Sequence, residues 1–249
     1  AGEGEVLSRN TTWTFSRDVD LSQTFIGVSY YDGQGFMAPK SLGAKSAKEL
    51  DGASICIQTG TTTELNLAEF FATNKIKYNA VPIETNAEAQ ELYKAGRCDA
   101  YTTDASGLYS TIASFDDPDN HMVFPEIISK EPLGPVVRHG DDQWADIVGW
   151  TLRAMMAGEE LGITSANVKS LAGKDNKNKE INRLLGKDPL QGISKLGLSA
   201  DWAVNIISQV GNYEEVFERN LGMSTPLKIA RGMNQLYKDG GLFYIPPIK

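Results

Sequence analysis

In Ser8-Arg-Asn-Thr-Thr-Trp-Thr-Phe-Ser-Arg17, five of ten residues carry a hydroxyl. A strand followed by a turn here would leave Thr11, Thr12 and their backbone N–H groups available to donate. Arg17, at the end of the run, can hold a carboxylate through two parallel charge-assisted hydrogen bonds, which a lysine cannot reproduce. Gln58-Thr-Gly-Thr-Thr-Thr-Glu64 repeats the idea, with a glycine turn opening a helix and hydroxyls at its start. Helix N-termini present N–H groups and partial positive charge to an anion. Thr102-Thr-Asp104 closes a strand-like run, and Asp104 can accept an ammonium group. Each feature also has an ordinary reading: threonines cap helices, and Asp104 can cap the one that starts at Ala105. Taken together they form a carboxylate clamp and an ammonium acceptor, the charge layout of a free α-amino acid.

Other chemistry does not assemble. Gly60-Thr-Thr-Thr lacks the Gly-Lys-Ser/Thr of a phosphate-binding loop. There is no Gly-x-Ser-x-Gly elbow, and only His121 and His139 could serve as a base. His121, in the polar loop after Asp116-Asp-Pro-Asp-Asn120, reads as solvated, and His139 as structural or hinge-lining. Asp116 and Asp117 are consecutive and face apart. Asn10-Thr11-Thr12 matches the glycosylation sequon, a common pattern with little weight. The two cysteines, Cys56 and Cys98, show no CxxC, and no HExxH or paired-histidine spacing exists, so neither a metal nor a cofactor is expected. One disulfide and two buried thiols are both compatible with the pair.

The elements that must position these residues follow from periodicity. Ser54–Gln58, Tyr78–Ile83 and Cys98–Thr103 read as strands. Between and after them come helical patterns: one with Leu65, Leu67, Phe70 and Phe71 as its apolar positions, one capped by Asn86 and ending at Gly96, and one over Ala105–Phe115. This alternation is the grammar of a parallel α/β sheet, whose ligands sit beyond the carboxyl ends of its strands. Beyond residue 140 the chain turns helical. Asp141 caps a helix whose Trp144, Ile147, Val148, Thr151, Leu152 and Met155 form an apolar stripe, read as core. Residues 164–200 read as small helices and loops, Trp202–Val210 and Pro226–Tyr237 as two further helices, and Phe243–Ile248 as a proline-broken tail. Tyr30–Phe36 and Ser129–Pro135 look like crossings. They define an α/β lobe 2 over residues 35–130, inserted into a lobe 1 made of 1–34 and 131–249, a layout suited to hinge closure on a ligand.

A formal charge of −8 on 249 residues, from 24 basic and 32 acidic side chains, argues against nucleic-acid and anionic-membrane partners. With 41% apolar residues the chain can build a core, and no apolar run approaches a membrane span. Ala1-Gly-Glu-Gly-Glu5 has no basic or apolar leader region. The chain is then either cytosolic or a mature or trimmed form, and the missing initiator Met favours trimming.

Ser8–Asp18, Tyr31-Asp-Gly-Gln-Gly-Phe36, Gln58-Thr-Gly-Thr-Thr-Thr-Glu-Leu-Asn66, Gly96-Arg-Cys-Asp99 and Tyr101-Thr-Thr-Asp-Ala-Ser106 together resemble the periplasmic amino-acid-binding proteins of ABC transporters, closest to the general L-amino-acid branch. Ile127–Pro135, Arg138–Trp144 and Val210–Glu214 extend the resemblance to the C-terminal part, so it covers essentially the whole chain. It implies an α/β, periplasmic-binding-protein-like II fold, with two lobes joined by a two-strand hinge and closing on a free L-amino acid. It further implies that Arg17 grips the α-carboxylate with help from Thr12 and the backbone near Asn10. Thr62 would donate to the same carboxylate, and Asp104 would take the α-ammonium. Cys56 and Cys98 become a disulfide in the periplasm, and the partners are the permease subunits of the transporter.

One departure accompanies the resemblance. Family chains carry an opening βαβα segment before the strand that ends at Ser8, whereas only seven residues precede it here. Lobe 1 is therefore expected to be incomplete, with an exposed sheet edge. The expected explanations are a trimmed chain, a shortened gene, or a partner chain such as a homo-oligomer compensating for the gap. The sequence Ala1–Glu5 departs from a clean strand entry, which favours a rearrangement. Three functions compete: a non-enzymatic receptor feeding a permease, a degenerate relative that no longer binds and serves as an interaction or oligomerising module, and an enzyme on this fold, as occurs among dehydratase relatives. The lack of an acid/base pair weighs against the last.

Overall fold

The computed structural model describes residues 4–188 and 190–249. Ala1, Gly2 and Glu3, from the opening that departs from a clean strand entry, lie outside the described residues. The strands are β1 (Gln23–Phe25), β2 (Tyr30–Asp32), β3 (Gln34–Pro39), β4 (Ser54–Gln58), β5 (Asn79–Ile83), β6 (Ala100–Asp104), β7 (His121–Val123), β8 (Glu131–Leu133) and β9 (Val136–Arg138). The α-helices are α1 (Thr62–Asn74), α2 (Asn86–Lys94), α3 (Ala105–Ala113), α4 (Asp142–Glu160), α5 (Val168–Ala172), α6 (Lys179–Leu184), α7 (Trp202–Val210) and α8 (Tyr213–Asn220). The chain divides into two compact units, one of residues 30–133 and one of the segments up to 29 and from 134 onward. These boundaries fall at the outer ends of β2 and β8, which pair with each other within the first unit.

In the 30–133 unit, β5-β4-β6-β3-β7 form one sheet. The parallel sheet expected from the three strand-like runs is found over β5, β4 and β6, and β3, not placed in it from the sequence, joins antiparallel. β3 runs antiparallel because it enters from β2 at the end where β6 leaves, so that Gln34 pairs with Asp104. Strand alternation sorts the core onto two faces. Phe36, Ile55, Ile57 and Ala100 meet Leu67 and Phe71 of α1. Met37, Cys56 and Tyr101 meet Tyr93 of α2 and Leu108 of α3. Helix α1 buries Thr63, Leu67 and Phe71, four residues apart, which leaves Leu65 on the opposite side and exposed rather than in the apolar face. Thr85, not Asn86, caps α2 by accepting the Glu88 N–H, while the Asn86 side-chain carbonyl accepts the Tyr101 hydroxyl at 3.0 Å. His121 is not solvated. Its imidazole packs edge-on against Phe115 and hydrogen-bonds the Tyr93 hydroxyl at 2.8 Å, closing that aromatic cluster.

In the other unit, β1 pairs with β9. Gly134 makes this possible, because a Cβ there would lie 2.1 Å from the Gly27 carbonyl oxygen. Asp141 caps α4 through the Trp144 N–H. The buried face of α4 is not the expected stripe, whose residues are half-buried. It is Gly149, Ala154, Met156, Ala157 and Gly158. Small side chains let α7 approach, and a Cβ on Gly158 would meet Ile207 at 2.9 Å. The helix expected over Pro226–Tyr237 is absent, with short 3-10 turns at Gly232–Asn234 and Tyr237–Asp239 instead. That segment is held by Arg231, which pairs with the buried Glu159 at 2.7 and 3.0 Å and donates to the Asn234 carbonyl. Helix α8 was missed by periodicity. Its signal is the reciprocal cap of Asn212 and Glu215. No helix among the described residues is long and apolar enough to cross a membrane.

Cys56 on β4 is joined to Cys98, just before β6, closing a loop of 42 residues. Replacing both cysteines by Ala is expected to lower unfolding stability by about 4 kcal/mol through the freed entropy of the denatured chain. Denaturant unfolding checks this. Asp99 supplies a pH test. Donation from the Ser54 hydroxyl (2.6 Å) and then the Ser54 N–H (2.7 Å) holds its carboxyl below the usual carboxylate range. A lowered carboxyl contributes stability above the ordinary carboxylate range and loses it as pH falls through the lowered value. Ser54→Ala should therefore lower the thermal midpoint at neutral pH, with the gap to wild type narrowing in acid. An undiminished gap at low pH would contradict the assignment.

Candidate functional site

In the unit that contains the N-terminal segment, Arg17 lies on a single π-helical turn, Ser16–Asp20, rather than on the turn after a strand. One guanidinium N–H donates to the Thr12 carbonyl at 3.0 Å. A guanidinium has five N–H donors in a rigid fork, so one bond orients it without exhausting it. The Arg17 backbone N–H bonds the Thr14 hydroxyl at 3.3 Å. Trp13 stiffens the same stretch: its ring stacks on Phe25 at 5.4 Å, and its indole N–H donates to Asp18 at 2.9 Å. Thr12 is buried. The Thr11 N–H is not available, since it bonds the Arg9 carbonyl at 2.8 Å. A tight local turn takes the donor that an extended strand would have left open. The Thr11 carbonyl accepts the Gly134 N–H at 3.1 Å, which ties the segment to the start of β9. Asn10, Thr12 and Arg17 therefore belong to one short, locally cross-linked stretch.

In the 30–133 unit, Thr61 caps α1 by accepting the Glu64 N–H at 3.3 Å, and Glu64 accepts the Gly60 N–H at 2.9 Å. This leaves Thr62 in the first turn, where its hydroxyl donates to Glu131 of β8 at 3.2 Å. Glu131 is 2% exposed and also accepts from Asn66 at 2.8 Å and Ser129 at 2.6 Å. Asp104 ends β6 at 5% exposure and stands at the N-cap position of α3, yet its side chain makes no capping hydrogen bond. The ordinary reading of Asp104 as a helix cap therefore does not describe it. Burial raises the Tyr30 hydroxyl well above its usual range, reinforced by Asp32, Tyr109 and Asp104. Burial, with Asp104 adding to it, pushes Tyr101 up to about 12. Two buried carboxylates, Asp104 at the end of β6 and Glu131 on β8, are thus joined by a partly buried one, Asp32 on β2. Burial raises the Asp32 carboxyl above its ordinary value despite hydrogen bonds from Ser106 and Gly33.

Asp32, Ser106 and Glu131 were missed as site residues. Asp32 and Glu131 sit in stretches that read only as breaker-rich crossings, and Asp32 meets Ser106 across 74 residues of sequence. The register that places Asp32 opposite Glu131 could not be read locally.

No family model matches the chain. It is 57% identical over its whole length to 73% of the general L-amino acid-binding periplasmic protein AapJ of Rhizobium johnstonii. It is 55% identical, again over its whole length, to 73% of the glutamate/glutamine/aspartate/asparagine-binding protein BztA of Rhodobacter capsulatus. A periplasmic binding protein of an ABC transporter from Brucella ovis, solved with glutathione bound, superposes with a TM-score of 0.95 at 53% identity, covering 100% of this chain and 78% of that one. An ancestral arginine-binding protein bound to arginine, 21% identical, superposes with a TM-score of 0.52 over 75% of this chain and 72% of its own, and shares the fold. With identities of this size spread over its full length, the chain belongs to the family of periplasmic amino-acid-binding proteins of ABC transporters.

Proposed function

We propose that this chain captures free L-amino acids and presents them to the permease subunits of an ABC transporter, without transforming them. The observation that carries the reading is the pair of opposite poles, one in each unit. Arg17 is oriented by the Thr12 carbonyl, and Asp104 is a buried carboxylate not engaged in capping its own helix. Arg17 takes the α-carboxylate in a forked pair, with Thr12 and the backbone near Asn10 beside it, and Asp104 takes the α-ammonium. Thr62 joins the carboxylate side when the ligand replaces Glu131 as acceptor of its hydroxyl. Both poles act on atoms common to every α-amino acid, which suits a broad binder. In this reading lobe 1 contributes Arg17 and lobe 2 contributes Asp104. No reacting group is assigned, since these residues bind and orient charge and none is paired as an acid and base.

A second ligand class is favoured by the Brucella ovis relative solved with glutathione bound. The glutamyl residue of glutathione is linked through its side chain and keeps both its α-carboxylate and its α-ammonium. The same two poles would hold it, with the rest of the peptide occupying the side-chain direction.

Isothermal titration of ligand-free protein against L-glutamate, L-glutamine and glutathione tests both readings. Binding is expected for the amino acids. Arg17→Ala and Asp104→Ala should each weaken it about a hundredfold, the usual scale for removing one partner of a buried charge pair. Recovery of chemically unchanged ligand checks that no turnover occurs. Absence of heat with every amino acid would favour the degenerate relative, and glutathione binding that ignores both substitutions would remove the second reading alone.

A further inference from the structure

The first two backbone N–H groups of α3 are capped from outside the helix. The Ala105 N–H bonds the Gly33 carbonyl at 2.8 Å. The Ser106 N–H bonds the Asp32 carboxylate at 3.3 Å, and the Ser106 hydroxyl donates to the same oxygen. The other Asp32 oxygen accepts the Gly33 N–H at 2.8 Å. Gly33 has to be glycine for this approach, because a Cβ would lie 2.2 Å from Ile127. An aspartate at the N-cap position normally accepts the N–H of the second or third helical residue. Here that position is Asp104, and the acceptor for Ser106 comes from the connecting strand β2 instead.

We propose that Asp32 is a positioning residue for amino-acid binding: by capping α3 in place of Asp104, it keeps the Asp104 carboxylate directed to the ligand's ammonium. This rests on the proposed role of Asp104. The arrangement is costly, which argues that it serves binding. Burial outweighs the bonds from Ser106 and Gly33 and raises the Asp32 carboxyl, while a cap supplied by Asp104 itself would need no second, partly buried carboxylate. Asp32 also stands directly opposite Glu131 in the β2·β8 ladder. Like charges facing each other across a ladder are unfavourable, and each is engaged by a different helix: Asp32 by α3, and Glu131 by Thr62 and Asn66 of α1. The connecting strands thus hold the starts of both helices that carry the site residues. Without Asp32, Asp104 turns back onto the α3 N–H groups and leaves the ammonium.

The test compares L-glutamate with 2-hydroxyglutarate, which lacks the ammonium, on wild-type and Asp32→Ala protein by calorimetry. The variant should lose about fivefold in glutamate affinity, the scale of one helix cap, with 2-hydroxyglutarate affinity unchanged. Asp32→Asn, which retains one acceptor oxygen for Ser106, should lose less than Asp32→Ala. Parallel losses for both ligands, or no loss for either, would overturn the proposal. If the wild type binds no amino acid, the binding reading itself fails. Hydrogen exchange at the Ser106 amide then judges the cap separately, in an Asp104→Ala background where Asp104 cannot take over: faster exchange on adding Asp32→Ala supports capping by Asp32, and unchanged exchange overturns it.

Discussion

A carboxylate removed from water must be met by donors or opposite charge, or it protonates. The unit of residues 30–133 buries Glu131 and Asp104 and partly buries Asp32. Glu131 receives Thr62, Asn66 and Ser129. Asp32 receives Ser106 and Gly33. Asp104, at the end of β6, does not cap its own helix and is proposed to meet the ligand's ammonium. That division follows from register: β2 pairs with β8 so that Asp32 faces Glu131, and β3 pairs with β6 so that Gln34 faces Asp104. A one-residue slip in either ladder would turn the side chains to the other face and dissolve the arrangement.

The proposed opposite pole is built differently. Arg17 sits in a short irregular stretch held by local bonds and by the stacking of Trp13 on Phe25, not by a sheet end. An arginine needs little preparation, because it is always charged and its fork is rigid. A buried carboxylate needs a scaffold. The investment of structure is accordingly larger around Asp104 than around Arg17. The disulfide belongs to the same unit, tying β4 to the entrance of β6, the strand that delivers Asp104.

Features whose cause is local were legible in the sequence. The strands β4, β5 and β6, the Asp141 cap and α7 follow from alternation, capping residues and helical spacing. The proposal of Arg17 and Asp104 as poles rests on residue type. Features decided by distant contacts were not legible. The antiparallel course of β3 depends on where it enters the sheet, and the buried face of α4 is set by the close approach of α7, which selects glycine and alanine over the larger apolar residues. His121 looked solvated among aspartates because its partners Tyr93 and Phe115 come from α2 and from the residues just after α3. Helix α8 had a readable signal in Asn212 and Glu215, whereas Pro226–Tyr237 is rich in helix-compatible residues but is fixed as an irregular segment by the ion pair of Arg231 with Glu159. Asp32 is the sharpest case: adjacent to a glycine in a turn-like stretch, it reads as punctuation, and only its contact with α3 reveals a cap.

In the proposed complex one free amino acid is held by its α-carboxylate at Arg17 and by its α-ammonium at Asp104. A crystal structure of the chain grown with L-glutamate tests it most directly. The account predicts a forked hydrogen-bonded pair between the Arg17 guanidinium and the ligand's α-carboxylate, and the ligand's ammonium within hydrogen-bonding distance of the Asp104 carboxylate. A ligand bound with its ammonium away from Asp104, or at a place touching neither residue, would contradict it.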